Sequence, residues 1–573
     1  MAFMELWLEK LLEKWMLDRN LDCENIKVCR KRKDLRHGDF VVPRGVLKID
    51  SNIIERSDLE AKVQEATAHG TLPIGRVSCD NHNAVIFFVN RTKAFKNIIE
   101  EVISSGDKYG HRNERNQSVI VNPVDLNIHD IASNDHVLVS TTQLRAAILL
   151  KHVLPLLAAN GYTTEVSKIS STSKVVELLN TLRVKVSEQV VPLTEQDWEP
   201  LFEEAKASKW RETLETAKCL NDLEEVNPEA SVVLKSVEPI ILNIRNVIDD
   251  EHLPTGRHGY DKNLHLVEVI QGSGAASVAL MEAAFINRLV PRSDDKGDEV
   301  VSPAINCIHL VSQPLAFSQQ QADLLLRACS PSSWCLQQRH LVFGTVGSRK
   351  SSTVVIADAE EFYNLRYNQM TQAAMMKYGD HEQGPGWQDM IDGLTAASVT
   401  FEMLTTVCGR PVLLDLAEDD LEKGIDNRSG PFVLYNCARL ATLLQSFQDR
   451  VAQGVYPELP DASKIDFSLL REEEEWSIAF LYLNAFPQLV QDAGSNWQEN
   501  EGICVNLSTH KVVHFLLSFS KTLSSYYSRY HILGGSEDHL LPLMFARLSL
   551  IRAAHQVLCN GLRLLGLQPF SQL

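Results

Sequence analysis

Residues 544–566 read MFARLSLIRAAHQVLCNGLRLLG, and their apolar pattern decides the class of the C-terminal part of the chain. Met544, Leu548, Ile551, His555, Leu558 and Leu562 recur at intervals of three and four, one face of a helix, and Gly566 follows as a stop signal. Phe545, Arg552, Gln556 and Arg563 fall on the opposite face. Upstream, Val512, Leu516, Phe519, Leu523 and Tyr526 repeat the spacing, as do Val433, Leu440, Leu444 and Phe447. Residues 356–573 are therefore expected to form an all-α bundle. Glu472 to Glu475, with Asp466, reads as a solvated acidic helix start.

Working towards the N-terminus, the pattern changes. SVIVNP (118–123), INCIHLV (305–311) and RHLVFGTV (339–346) read as strands, and 144–159 as a helix. This alternation predicts a Rossmann-like α/β core with a parallel sheet over 111–355. The glycine-rich QGSGA (271–275) lacks the strand–helix context of a phosphate loop and reads as a turn; 253–263 and 293–299 read as loops. Residues 1–110 predict a small α/β domain, opened by a helix that buries Leu8, Leu11, Leu12 and Trp15. A chain of 573 residues exceeds one core, so a multidomain protein is expected.

Composition narrows the function classes. The most apolar stretch, 144–159, is broken by Arg145, Lys151, His152 and Pro155, so no membrane span is expected. The opening MAFMELWLEKLLEKW carries glutamates inside its apolar pattern, unlike a signal peptide. Eleven cysteines are scattered without a CxxC pair, so neither a zinc site nor any other metal or cofactor is expected. Such cysteines suit a reducing compartment: the cytoplasm, and the nucleus as well. Lys and Arg total 56 against 74 Asp and Glu, a net charge of −18. That field repels phosphates, so any nucleic-acid binding must use local basic surfaces.

Four ordered segments carry a resemblance: GPFVLYNCARLATLL (430–444), LNAFPQLVQDA (483–493), LSSYYSRYHIL (523–533) and FARLSLIRAAHQVLCNGLRLLGLQPFSQL (545–573). Together they resemble the anticodon-binding domain of the arginyl-tRNA synthetase family, named for its DALR signature. Arg36-His37-Gly38-Asp39-Phe40 is similar to the family's N-terminal H-G-D-F element, and RHLVFG (339–344) to its H-V-x-F-G strand. The likeness is strongest to a vertebrate non-synthetase branch. It implies a multidomain plan: a small α/β N-terminal domain (1–110) that contacts tRNA, a degenerate Rossmann-like synthetase core (111–355) and an all-α DALR anticodon-binding helical bundle (356–573).

Synthetases of this class need an H-x-G-H element and a K-M-S-K-type loop, whose cations stabilise charge on the ATP phosphates. At the matching positions stand Ser140, Thr142 and Gln143, and Thr345 replaces the first lysine of the loop, with Arg349 and Lys350 retained. The resemblance therefore implies a pseudoenzyme without catalytic residues. By the same likeness, tRNA contact falls to Tyr435, Asn436 and Arg439, to Tyr527 and Arg529, and to Phe545, Arg552 and Arg563. An aromatic beside a guanidinium suits unstacked anticodon bases. The basic run Arg30, Lys31, Arg32 and Lys33 is a second expected contact. The resemblance thus implies an adaptor that selects arginine-type tRNAs and presents them to a tRNA cytosine-N3 methyltransferase subunit, for 3-methylcytidine formation in the anticodon loop. Two alternatives stay open: an arginine–tRNA ligase with an atypical site, and a protein-interaction scaffold that does not bind RNA.

Overall fold

A computed structural model describes residues 2–19, 26–43, 58–79, 84–127, 138–167, 173–184, 195–212, 240–270, 276–288, 305–329, 336–348, 358–379, 386–414, 429–494 and 502–571. The glycine-rich 271–275, the loop 293–299, and Arg349 and Lys350 lie outside the described residues. The chain divides into two compact units: Met1–His111 with Ser429–Gln491 and Val512–Leu573, and Arg112–Arg428 with Asp492–Lys511.

In the first unit, α1 (Ala2–Leu17) buries Leu8, Leu12, Trp15 and Met16. Strands β1 (Cys29–Arg30), β2 (Phe40–Val42), β3 (Ile74–Cys79) and β4 (Val85–Val89) pair antiparallel in the order β1-β2-β4-β3. The period-two pattern of β4 sends Val85, Phe87 and Val89 inward, with Phe87 opposite Phe40. Helix α2 (Leu59–Thr67) precedes β3, and α3 (Arg91–Ser105) follows β4, its first turn capped by the Asn90 side chain, which accepts from the Lys93 N–H. In the His-Gly-Asp-Phe element, Gly38 sits at φ 105°, and a Cβ there would stand 2.1 Å from Ile86 Cγ2. The next residue, Asp39, is buried; it accepts from the Val89 N–H (2.8 Å) and from the Trp476 indole (2.7 Å). Trp476 in turn stacks on Phe480 and meets Phe95 edge-on. This motif therefore organises packing.

The helical part of this unit comprises α12 (Ser429–Ala452), α13 (Glu473–Ser477), α14 (Phe486–Gly494), α15 (His510–Arg529) and α16 (Leu541–Leu564). The predicted stripes on α15 and α16 are buried, apart from the half-buried His555. Gly566, at φ 69°, ends the last helix and donates to the Arg563 carbonyl. Asn560 donates to the carbonyls of Gly106 (2.9 Å) and Tyr109 (3.3 Å), while Gly561 lets Leu516 of α15 approach to where a Cβ would be 2.6 Å away. The Asn-Gly pair of the signature helix is thus a packing device.

The acidic run differs from expectation. Helix α13 does begin there, but Glu475 is fully buried rather than solvated. It accepts from the Tyr526 hydroxyl (3.0 Å), Arg547 Nε (2.9 Å) and the Glu472 N–H (3.0 Å). Glu473 pairs with Arg91 and Glu474 with Arg529. A buried carboxylate needs such charged donors, and they come from far along the chain.

In the second unit, β5 (Ser118–Pro123), β6 (Thr163–Val166), β10 (Ile305–Ser312) and β11 (Leu336–Phe343) form a parallel sheet ordered β11-β10-β5-β6. This is the expected mixed α/β core. Helix α4 (Thr141–Ala159) packs on the sheet. A second, antiparallel sheet orders β7 (Arg211–Glu212), β8 (Ile240–Asn243) and β9 (Leu266–Ile270). It shares a core with α6 (Glu195–Ala207), α7 (Ile244–Asp250), α8 (Val278–Arg288) and α9 (Ala316–Cys329). Short strands β12 (Val346–Ser348) and β13 (Val412–Leu414) pair in parallel, and α5 (Ser173–Thr181), α10 (Ala359–Tyr378) and α11 (Trp387–Leu404) complete the unit. No helix among the described residues is long and apolar enough to cross a membrane.

The parallel sheet buries a polar chain. Asn122 Nδ2 lies 3.1 Å from His309 Nδ1, and His309 Nε2 lies 3.0 Å from Gln338 Oε1. Burial, reinforced by His340, pushes His309 down to about 4, against the pull of Asp323 and Glu282. The folded state therefore resists a proton that the unfolded chain takes up near pH 6.5. Stability supplied by neutral His309 is complete above pH 6.5 and drains as pH falls towards 4. Denaturant titrations across this window should show a loss on the order of 3 kcal/mol. His309→Gln, which keeps a donor and an acceptor, should flatten that slope; an unaltered slope would assign it elsewhere.

Candidate nucleic-acid interface

On a helix, residues 435, 439, 442, 446 and 450 fall within one narrow arc, because their intervals are four, three, four and four. In α12 that arc flanks the buried stripe of Val433, Leu440 and Phe447. The end of α15 and the segment after it close over this face. The result is a groove of about 640 Å³ lined by Tyr435, Ala438, Arg439, Thr442, Leu443, Ser446, Arg450, Tyr527, Ser528, Tyr530, His531, Ile532 and Leu533. None of the described lining residues is Asp or Glu, in a chain carrying 74 of them. The field here therefore departs from that of the molecule as a whole.

The groove's side chains are held in place. The Arg439 guanidinium sits over the Tyr527 ring, 3.5 Å from its centroid. Arg450 donates to the Tyr456 hydroxyl (2.8 Å), which donates on to the Gly534 carbonyl (2.6 Å). The Tyr530 hydroxyl donates to Glu472 (3.1 Å), which, with Glu474 close by, raises the phenol's affinity for its proton beyond the effect of burial. Tyr435 is 40% exposed. Aromatic planes alternating with guanidinium groups offer stacking surfaces for bases and fixed cations for phosphates.

The structure brings together three of the expected contact residues, Tyr435, Arg439 and Tyr527. Others stand elsewhere. Asn436 is buried, its amide donating to the Phe432 carbonyl (2.8 Å), because one step along the helix turns it away from the open face. Arg529 pairs with Glu474. Arg563 pairs with Asp107 (2.5 Å), whose acidity is enhanced first by a Gln556 hydrogen bond and then by this arginine. Phe545 is half-buried, and Arg552 is exposed on α16. In the basic run, Arg30 is packed over Phe480 (4.4 Å to the centroid) with Glu5 beside it, and burial lowers its pKa. Lys31 donates to the carbonyls of Asp34 and His37. Only Arg32 and Lys33 of that run are exposed. Among the lining residues that the sequence expectation did not name are the polar side chains of Arg450, Tyr530 and His531. Arg450 is legible as the continuation of the 435–439 face; Tyr530 and His531 extend the Tyr527 face by one turn.

At the positions that the resemblance matches to the nucleotide-handling elements, the residues make local capping and backbone hydrogen bonds. Ser140 caps α4: its Oγ accepts from the Gln143 N–H (3.2 Å), and Gln143 Oε1 accepts from the Ser140 N–H (2.9 Å). Gln143 Nε2 donates to the Asp125 carbonyl (3.0 Å). Thr142 Oγ1 accepts from the Val346 N–H (3.1 Å), and the Thr345 carbonyl from the Val412 N–H (2.9 Å).

Comparisons with known proteins identify the chain's relatives. The model of the DALR anticodon binding domain matches residues 433–573. DALR anticodon-binding domain-containing protein 3 of Danio rerio is 32% identical over 547 residues, covering 94% of this chain and 92% of that protein. Its Mus musculus counterpart is 40% identical over 272 residues, 46% of this chain and 48% of that protein. Arginine–tRNA ligase of Desulfotalea psychrophila is 32% identical over 196 residues, 32% of each chain. The solved structure of Thermus thermophilus arginyl-tRNA synthetase superposes with a TM-score of 0.58 at 16% identity, over 99% of this chain and 100% of that one. With the synthetase-like fold, the helical DALR domain and a full-length relative all in agreement, the chain belongs to the family of DALR anticodon-binding domain-containing protein 3.

Proposed function

We propose that this chain is a non-catalytic tRNA-binding adaptor: it takes the anticodon loop of arginine-type tRNAs into the α12–α15 groove and presents them to a tRNA cytosine-N3 methyltransferase that forms 3-methylcytidine there. The observation that carries this reading is a groove of tyrosines and arginines within the matched anticodon-binding domain, with no Asp or Glu among its described lining residues. Unstacked loop bases are recognised on such aromatic planes, and guanidinium groups track the flanking phosphates. The exposed Arg32 and Lys33 add a second, weaker contact, and two modest contacts on one rigid RNA multiply. Loss of adenylation is supported by the use of Ser140, Gln143 and Thr142 as caps and backbone ties, in place of the imidazoles that would stabilise charge on ATP. Methyltransferase partnership, arginine-type selectivity and work in the cytoplasm or nucleus are the parts of the reading that rest on the resemblance.

Reconstitution tests it. Purified chain added to a tRNA cytosine-N3 methyltransferase should raise 3-methylcytidine formation on arginine-type transcripts at least about tenfold, the effect of holding reactants in place. It should give no arginine-dependent ATP–pyrophosphate exchange. Methylation indifferent to the chain would remove the adaptor role, and exchange above blank would restore the ligase reading.

A further inference from the structure

Sequence spacing gives no metal-binding pattern, yet folding assembles a donor set. Cys437 lies on the inward side of α12, and His555 and Cys559 lie one turn apart on α16. Cys437 Sγ is 3.7 Å from Cys559 Sγ, and Cys559 Sγ is 3.5 Å from His555 Nε2. One donor atom from each residue falls within 4.8 Å of the other two, an arrangement that no other trio of His, Cys, Asp or Glu matches among the described residues. Both cysteines are buried and free of disulfides, and the histidine is half-buried.

The two shorter spacings are those of ligands on a tetrahedral ion. Zinc–sulfur bonds of about 2.3 Å and zinc–nitrogen bonds of about 2.0–2.1 Å put neighbouring ligand atoms roughly 3.5–3.8 Å apart. A thiol–imidazole hydrogen bond within α16 accounts for Cys559 and His555 as a pair; it is Cys437, brought in from a second helix, that completes a three-donor set. We propose that Cys437, Cys559 and His555 bind a zinc-type d10 dication between α12 and α16, with a water completing the coordination. The S₂N set favours a borderline-to-soft ion over magnesium or calcium. Two thiolates balance the dication, so the bound site is neutral and buries without a large desolvation cost. The half-buried imidazole marks the route of entry. A bound ion would fasten α12 from the side facing away from its groove residues, but the proposal stands on the donor geometry and does not require that the groove bind RNA.

The full-length protein, reduced and stripped with chelator, should be titrated with Co²⁺. The site predicts a thiolate-to-cobalt charge-transfer band and intense ligand-field bands that saturate at one equivalent and are bleached by Zn²⁺. Cys437→Ser and Cys559→Ser should abolish the charge-transfer band. His555→Asn should weaken binding by more than the roughly 10–100-fold that loss of a supporting group costs. Cys79→Ser should change nothing. Wild-type protein that gives only the weak spectrum of octahedral cobalt overturns the proposal, whatever the folding of the variants. So does a spectrum that survives Cys437→Ser, or a Cys437–Cys559 disulfide that yields no cobalt uptake after reduction.

Discussion

Reversing Arg439 and Arg450 to glutamate lowers the affinity for tRNA by at least about a hundredfold, since each lost phosphate or stacking contact is worth about 1–3 kcal/mol. Both arginines line the groove and neither is buried. The reversal replaces the groove's two guanidinium groups with carboxylates and extends the repulsive field of a chain at −18 into this arginine–tyrosine groove. The salt slope of binding should fall by about two, one for each phosphate contact removed. Stability should change modestly: the Arg439–Tyr527 contact is a half-buried cation–π pair worth about 1–2 kcal/mol. Tyr456, the partner of Arg450, keeps its hydrogen bond to Gly534. Tyr435→Ala is a companion that removes a stacking plane without touching charge. Filter binding at two salt concentrations, beside a thermal melt, separates these effects; unchanged affinity would take the groove out of RNA recognition.

Replacing Trp476 by alanine is the corresponding test of the fold. This indole is fully buried, stacks at 5.2 Å on Phe480, meets Phe95 at 5.3 Å and donates at 2.7 Å to Asp39. It joins the N-terminal sheet, α3 and α13 in one core. Its removal leaves a cavity and deprives a buried carboxylate of a donor, a loss of about 3–5 kcal/mol. Trp476→Phe keeps most of the packing and should lose about 1–3 kcal/mol, the cost of the orphaned acceptor. Urea denaturation of the two variants measures both effects. A loss in Trp476→Ala below about 1 kcal/mol would mean that this junction does not hold the unit together.

The helices and the parallel strands were legible because their signal is local. The stripe of Val512, Leu516, Phe519, Leu523 and Tyr526 fixes a buried face whatever lies opposite it, and β10 and β11 fall on the apolar runs that predict them. Half of the groove was legible for the same reason: Tyr435 and Arg439 share a helix face. What escaped local reading depends on partners hundreds of residues away. Asp39 and Trp476 are 437 positions apart, and Arg91 and Glu473 are 382 apart. A basic residue looks the same in sequence whether it faces RNA or, like Arg30, lies on a buried aromatic ring. The glutamates at 472–475 likewise read as a solvated face until the arginines that neutralise them are placed. Cys437 and Cys559, 122 residues apart, carry no spacing that announces a shared site.

Occupation of the α12–α15 groove by the decoding loop of a tRNA is the expectation on which the adaptor role rests. Nuclease footprinting of an arginine-type tRNA bound to the full chain addresses it without intermediaries. The groove predicts protection of the anticodon-loop nucleotides that disappears when Arg439 and Arg450 are reversed. Protection confined to the acceptor arm, or an anticodon footprint that persists in the reversed variant, would contradict it.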